Sequence, residues 1–185
     1  MNKRIEIKSQ TKQNLIDAFW ALYCEIKIEK ITVKDITNRA GYNRGTFYEY
    51  FKDVYDVLEY IENSLIPTLS ELPPISIGLE IRGMPMNAFF ELYEKNNKYY
   101  AVLLGDGGDP AFASKLKNSI KPMIMKELAK EPVADQTELD YILEYTLSAM
   151  IGIMSYWFRQ PDKLPNIKLH ELVYKLMDQG VMKQL

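Results

Sequence analysis

The chain has 185 residues, of which 47% are hydrophobic and 26% charged, as is typical of a soluble globular protein with one or two domains. Its longest uncharged apolar stretch, residues 145–158, has 14 residues and is too short to span a bilayer. Charged residues interrupt the N-terminal segment, so we predict no signal peptide. Cys24 is the only cysteine, which excludes an intrachain disulfide and indicates a reducing cytoplasm.

Charge is distributed unevenly along the chain. Residues 1–52 contain 10 Lys and Arg against 6 Asp and Glu, a net charge of +4, whereas residues 53–185 contain 13 and 19, a net charge of −6. A basic first part and an acidic second part are expected when a DNA-binding domain is attached to a domain that does not bind DNA. The first basic side chains are predicted either to contact phosphates or to lie in a solvated arm: Lys3, Arg4, Lys8 and Lys12.

A first helix is predicted over residues 11–28, where apolar side chains recur at helical spacing. Its inward face would consist of Leu15, Ala18, Phe19, Leu22 and Ile26. This helix should pack across the next two helices and complete a three-helix head.

Residues 31–51 predict two short helices joined by a tight turn. Thr32 is a good N-cap, and Asp35 lies three positions later, so the pair has the spacing of a capping box. Gly41 can adopt positive φ and end the first helix, and Asn43 then caps the second. A helix, a glycine turn and a second capped helix form a helix-turn-helix.

The second short helix has the side chains expected of a DNA-contacting element. Phe47 should point into the domain, which leaves Arg44, Thr46 and Tyr48 on the outer side. Arg can pair with guanine or phosphate, and Thr and Tyr hydroxyls suit phosphate oxygens. Gly45 costs about 1 kcal/mol in a helix compared with Ala, so its presence indicates a close approach of the backbone to DNA.

At these residues the chain resembles the TetR family of transcriptional regulators. The resemblance covers about residues 11–66 and rests on Thr32-Val33-Lys34-Asp35-Ile36, Ala40-Gly41, Gly45-Thr46-Phe47-Tyr48 and Tyr50-Phe51. It implies a DNA-binding domain over residues 1–66, with the helix-turn-helix at about 32–51. The candidates for contact at or near the bases are Lys34, Tyr42 and Arg44. The candidates for phosphate contact are Thr32, Val33 through its backbone, Asn43, Thr46, Tyr48 and Lys52, with Gly45 permitting the close approach.

The chain departs from the family pattern at two positions. The family usually has Ser where this chain has Asn43, a change that keeps the capping chemistry. It usually has Lys, which contacts a phosphate, where this chain has Val54. Lys52 is the candidate substitute for that contact.

Residues 67–185 predict a second, larger domain that is also helical. Asp53 caps a fourth helix that ends near Pro67, and an irregular joint follows at Pro73-Pro74 and residues 78–85. Further helices are predicted over 86–95, 97–104, 109–130 with a kink at Pro122, 137–158 and 167–179. The run Gly-Asp-Gly-Gly-Asp-Pro at 105–110 has neither the lysine of a P-loop nor the spacing of a calcium loop, and is interpreted as a plain connection.

The predicted fold class is therefore all-α, with a three-helix helix-turn-helix DNA-binding head and a larger helical-bundle body for ligand binding and dimerisation. The helix over 137–158 is apolar around most of its circumference, which predicts burial on two sides. We infer that it forms a four-helix dimer interface with the last helix, as the family resemblance also implies; the alternative is that both helices lie in the monomer core. The predicted interface residues are Leu147, Ile151, Phe158, Leu169, Leu172, Val173 and Leu176.

The body is rich in Met, Tyr and Phe, side chains that suit a cavity for an apolar or aromatic effector, although taken one by one they fit an ordinary aromatic core better. The candidate lining residues are Phe89, Tyr93, Tyr100, Phe112, Met123, Tyr145, Met150 and Trp157. The family resemblance implies that an effector bound there shifts the heads and weakens operator binding. Residues 93–105 resemble a TetR subgroup that includes activators of dihydroxyacetone-kinase operons, some of which respond to a protein partner.

These observations predict a cytoplasmic, ligand-responsive homodimeric repressor that binds a pseudo-palindromic operator in double-stranded DNA. The alternative is an activator or regulator whose body is controlled by a protein partner. We predict no cofactor, metal or membrane contact, because Cys24 and His170 lie in different predicted domains and cannot form a zinc or nucleophilic site alone. An enzyme is disfavoured, since the sequence shows no carboxylate pair or nucleophile–base spacing.

Overall fold

The structure is a computed structural model that describes residues 3–68, 71, 86–129 and 135–180. Its helices are α1 (Lys3–Tyr23), α2 (Val33–Ala40), α3 (Arg44–Tyr48), α4 (Val54–Leu65), α5 (Met86–Lys95), α6 (Asn97–Leu103), α7 (Phe112–Leu128), α8 (Gln136–Arg159) and α9 (Asn166–Gln179). A 3₁₀ turn at Ile28–Lys30 lies between α1 and α2. The all-α fold class is confirmed. The predicted joint at Pro73-Pro74 and residues 78–85 lies outside the described residues.

The helices form two compact units, residues 1–65 and residues 66–185. In the first unit α1 packs on α2 and α4, and α2 packs on α3. The side chains that are fully buried at its centre are Leu15, Phe19, Ile36, Phe47 and Val57. This is the three-helix head with a fourth helix that the apolar spacing predicts.

The limits of α1 differ from the prediction. The helix begins at Lys3, so residues 3–10 are helical, and it ends at Tyr23. Ile26 consequently lies outside the helix and is 41% exposed, which corrects its assignment to the inward face. Tyr23 takes that place, with its ring stacked 5.6 Å from that of Phe19.

In the second unit α7 packs along α8, and α5 contacts both α6 and α9. A charge cluster joins α7 to α8, since Lys117 and Lys121 both bind Glu144 and Lys121 also lies 2.9 Å from Asp140. Hydrogen bonds from Lys117 and then Lys121 lower the pKa of Glu144 to about 2. Surface pairs of this kind contribute little individually, but the shared network fixes how the two helices align.

The core of the second unit is aromatic near α6. Tyr100 and Phe112 are fully buried, and the Tyr93 and Tyr100 rings meet edge to face with centroids 4.6 Å apart. Burial raises the pKa of both tyrosines above the ordinary value.

Five of the seven residues predicted for the dimer interface pack within a single chain instead. The residues buried there are Leu147, Ile151, Phe158, Leu169 and Val173. A side chain that is already buried has little surface left for a partner, so these five residues belong to the core of the unit. Leu172 is 36% exposed and Leu176 is half-buried, and these two retain accessible surface.

Candidate nucleic-acid interface

The N-terminus of α2 is fixed by the predicted capping box. The Thr32 Oγ1 accepts the Asp35 backbone N–H at 3.2 Å, and the Asp35 Oδ2 accepts the Thr32 backbone N–H at 3.0 Å. The Thr32 hydroxyl also donates to the same carboxylate oxygen at 2.6 Å. The two bonds that the carboxylate accepts, led by the one from the hydroxyl, lower the pKa of Asp35 below its usual value. The cap thus holds the start of α2 in place.

The turn between α2 and α3 depends on Gly41, whose φ of 76° and ψ of 27° lie in the left-handed region that favours glycine. The chain closes there because the Tyr42 N–H donates to the Thr37 carbonyl at 2.9 Å. Thr37 is itself buried, and its hydroxyl donates to the Val33 carbonyl at 2.9 Å. This arrangement sets the direction in which α3 leaves the turn.

The capping prediction for α3 also agrees with the structure. Asn43 has extended backbone angles, and its Oδ1 accepts the Thr46 N–H at 2.8 Å. The helix itself is shorter than the predicted 43–50, because after Tyr48 the chain continues as a turn in which the Tyr50 N–H donates to the Phe47 carbonyl at 3.0 Å. α3 is therefore a little over one helical turn long.

The two faces of α3 differ sharply. Phe47 is fully buried, and its ring lies 5.8 Å from that of Phe51. On the opposite side Arg44 is exposed and Tyr48 is 58% exposed. A short helix that buries its apolar side and presents a guanidinium and a phenol is suited to contact with a polyanion.

Gly45 has a steric role within the chain itself. A Cβ added there would lie 3.1 Å from the Asn43 Oδ1, the oxygen that caps α3. A side chain at this position would therefore crowd the capping oxygen, which is a reason for glycine that is independent of DNA. The predicted close approach of the backbone to DNA stays a prediction.

All ten residues predicted to contact DNA retain accessible surface. The exposed ones are Thr32, Lys34, Asn43, Arg44, Gly45, Tyr48 and Lys52, and the half-buried ones are Val33, Tyr42 and Thr46. Their freedom to bind differs, because the Thr32 hydroxyl and the Asn43 Oδ1 are already engaged in the two caps.

Two contacts from α1 were not apparent in the sequence. The Asn14 amide donates to the Tyr42 hydroxyl at 2.9 Å and so fixes a predicted base-contacting side chain from 28 positions away. The Lys12 ammonium lies 3.6 Å from the centroid of the Tyr60 ring, a cation–π contact inside the unit. Helical periodicity gives no signal for either pairing.

The predicted effector residues do not converge on one cavity. An apolar cavity of about 10 Å³, roughly the space of one water, is lined by Phe90, Tyr93, Met150, Ile153, Met154 and Val173. Only two of the predicted residues, Tyr93 and Met150, belong to it.

The other predicted effector residues lie elsewhere. Tyr100 and Phe112 are buried in the core, Met123 is half-buried, and Trp157 donates its indole N–H to the Leu164 carbonyl at 2.7 Å. Tyr145 is 67% exposed on α8, which corrects its assignment to an internal pocket. The side chain of Phe89 lies outside the described residues.

Across the described ranges, no helix is long and apolar enough to cross a bilayer. The same residues contain no group of three or more His, Cys, Asp or Glu side chains placed to hold a metal ion.

A helix-turn-helix with an outward-facing second helix, followed by a helical body, defines a class of protein: a DNA-binding transcriptional regulator. Residues 15–61 match the model of the bacterial regulatory proteins of the tetR family, and residues 85–179 match the model of a TetR transcriptional regulator C-terminal region. The chain belongs to the TetR family of transcriptional regulators, and the expectation that it is not an enzyme is confirmed by this membership.

Solved structures with the same fold include several other regulators. A TetR transcriptional regulator from Streptococcus agalactiae 2603V is 20% identical with a TM-score of 0.65, over 95% of this chain and 98% of that chain. The dihydroxyacetone kinase operon activator DhaS is 19% identical with a TM-score of 0.61, over 90% and 93%. The fatty acid degradation regulator FadR from Bacillus halodurans is 16% identical with a TM-score of 0.65, over 92% and 96%. No curated protein matches the sequence significantly.

Proposed function

We propose that the protein is a cytoplasmic homodimeric repressor that places α3 in the major groove of a pseudo-palindromic operator and releases it when a small apolar or aromatic effector binds. Residues 1–66 form the DNA-binding domain in this proposal, and residues 67–185 form the ligand-binding and dimerisation domain. The main observation in its support is that α3 buries Phe47 on one face and exposes Arg44 and Tyr48 on the other.

The proposed contacts follow from the chemistry of the exposed side chains. Lys34, Tyr42 and Arg44 are assigned to positions at or near the bases, since Arg and Lys can bind the acceptor edge of guanine. Phosphate contacts are assigned to Thr32, the Val33 backbone, Asn43, Thr46, Tyr48 and Lys52. The Asn43 amide nitrogen supports this role, because it has no hydrogen-bond partner within the part of the chain that the structure describes.

The proposed dimer surface is an exposed line on α8. Tyr141, Tyr145 and Tyr156 are 71%, 67% and 60% exposed, and the exposed small residues Ala149 and Gly152 lie between them on the same face. Tyrosines are enriched at protein interfaces, and the small residues would allow a second copy of α8 to approach closely. This line replaces the buried residues that the sequence suggested.

A two-fold dimer constrains its operator. Two copies of α3 related by a two-fold axis should contact half-sites separated by one helical turn of DNA, about 34 Å, or a multiple of it. The test is selection of bound duplexes from a random pool with the full chain at two salt concentrations. An enriched inverted repeat supports the proposal, and a pool without any enriched sequence contradicts it.

Control by a protein partner is the second candidate, because the apolar cavity beside Tyr93 and Met150 holds only about 10 Å³. One structural relative is titled an operon activator, so the alternative also includes activation. Thermal-shift screening separates the two candidates, since an effector at 100 times its dissociation constant should add about 2.7 kcal/mol to stability. Stabilisation by a metabolite supports effector control, and co-purification of a specific partner without any such hit supports the second candidate.

A further inference from the structure

A hollow of about 430 Å³ lies on the second unit, where α5 meets the start of α9. It is lined by Phe90, Glu91, Glu94, Asn166, Ile167 and His170. Its volume falls in the range of small-molecule sites, which run from roughly 300 to 1,000 Å³. It is distinct from the core residues that the sequence suggested for an effector.

The hollow combines negative charge with aromatic surface. Glu91 and Glu94 are three residues apart on α5 and therefore project from neighbouring positions of one helix face. The Asn166 amide donates to the Glu94 Oε1 at 3.2 Å and orients that carboxylate. Neither glutamate forms a salt bridge with any residue that the structure describes. Their charges are therefore available to a cation.

Two of the residues that line the hollow, Phe90 and His170, have aromatic rings that face each other closely. The Phe90 and His170 rings have centroids 4.5 Å apart and planes inclined at 40°. Phe90 also lines the apolar cavity of about 10 Å³, together with Met150 and Met154, so the two cavities share this ring. Ile167 adds apolar surface at the rim and is 64% exposed. An aromatic or alkyl group fits this surface, and a cation can lie over the ring faces.

We propose that this hollow binds a small organic cation, an amine with an aromatic or alkyl body, whose charge is neutralised by Glu91 and Glu94 and whose body stacks on Phe90 and His170. The inference rests on the proposed effector control, for which it names the chemical class of the effector. A neutral or anionic molecule of the same shape lacks the attraction to the two carboxylates and binds more weakly.

The test compares three fluorescent probes that share one ring system: 2-(1-naphthyl)ethylamine, 2-(1-naphthyl)ethanol and 1-naphthylacetate. Titrations of the full chain, followed by fluorescence anisotropy and calorimetry, should give at least tenfold tighter binding of the amine than of the alcohol or the acetate. The preference should shrink as salt is added, because the carboxylates are exposed. Equal affinity for all three probes overturns the proposal.

Variants locate the site. Glu91→Gln with Glu94→Gln should weaken amine binding at least tenfold and leave binding of the alcohol unchanged. Glu138→Gln with Asp162→Asn removes the same charge from exposed positions outside the hollow and should leave the amine affinity unchanged. Phe90→Leu should weaken binding of the amine and of the alcohol to a similar extent. If the variant with Glu91→Gln and Glu94→Gln binds the amine as tightly as the parent does, the proposal is overturned.

A separate measurement distinguishes this inference from the proposed function. Operator selection by the Glu91→Gln, Glu94→Gln chain without amine should give the same sequence as the parent. If the parent enriches an operator but does not prefer the amine, only the proposal of an amine site in the hollow is overturned. If the amine binds at the hollow but the parent enriches no operator, the site is retained and the proposed function is overturned.

Discussion

At the scale of single residues, Thr32 stabilises the start of α2 through its small side chain. Its hydroxyl accepts one hydrogen bond and donates another, and both join it to Asp35. This pair stabilises the first turn of α2, the helix against which α3 packs. Its spacing could be predicted from the sequence because a capping box is a local pattern.

We predict that Thr32→Ala lowers the free energy of unfolding at neutral pH by about 0.5–2 kcal/mol, the usual cost of losing an N-cap. The effect should fall in acid. Because the pKa of Asp35 is lowered in the folded chain, the contribution of its carboxylate is present above its usual pKa and is lost as pH falls through the folded value. Urea unfolding at several pH values measures both effects.

Asn38→Ala is the matched control for this substitution, since Asn38 is exposed on α2 away from the cap. Its effect should stay within about 0.5 kcal/mol at every pH. A Thr32→Ala effect no larger than that of the control would contradict the capping account.

Other single residues could not be predicted from their neighbours in sequence. The Asn14–Tyr42 hydrogen bond and the Lys12–Tyr60 contact depend on how α1 crosses the other helices. Gly45 differs from these cases, because the sequence linked it to DNA, whereas the contact that an added Cβ would make within the chain is with the Asn43 cap.

At the scale of elements, the glycines between α6 and α7 have unequal roles. A Cβ added at Gly108 would overlap the Leu103 carbonyl group, and one added at Gly105 would lie 2.5 Å from the Ala101 carbonyl oxygen. A Cβ at Gly107 would meet nothing within 4 Å. The connection that the sequence marks as a plain loop is therefore closely packed at two of its glycines.

Gly108→Ala should consequently destabilise the protein by about 1–3 kcal/mol or more, since backbone must move to admit the methyl group. Gly107→Ala lies one position away and should change stability by less than about 0.5 kcal/mol. Thermal unfolding of the two variants side by side tests the difference. Similar melting temperatures for both would show that the loop packs differently.

The sequence predicted where helices occur more accurately than it predicted their exact ends or which elements they pack against. The predicted and observed limits of α5 coincide, and those of α8 differ by one residue at each end. The predicted burial of α8 on two sides stays a prediction for its second side, because in the single chain a line of tyrosines is exposed there. Apolar composition identifies a helix, but tyrosine suits both a core and an interface, so composition alone could not assign the face.

At the scale of the whole molecule, the proposed dimer requires that a partner helix can pass close to Gly152. The residue lies mid-helix, where Gly costs about 1 kcal/mol compared with Ala, and open space surrounds it in the single chain. A partner helix passing close to Gly152 would explain why no side chain is present.

We therefore predict that Gly152→Arg converts a dimer into a folded monomer, because the new side chain fits the single chain and blocks the partner. Sedimentation or light scattering should change from the mass of two 21.5-kDa chains to that of one. Gln136→Arg, exposed at the start of α8 and pointing to another side, should remain dimeric. A Gly152→Arg protein that dimerises like the parent would place the interface elsewhere.

The measurement that tests the account most directly is operator selection with the parent and with Arg44→Ala. The parent should enrich an inverted repeat. Arg44→Ala should lose about 1–3 kcal/mol of affinity for it and relax the preference at one position of each half-site. Arg39→Ala removes an equal charge from a side chain paired with Glu25 at 3.0 Å and should retain the parent's sequence preference. Unchanged affinity and preference in Arg44→Ala would contradict the central claim that the outer face of α3 contacts the bases.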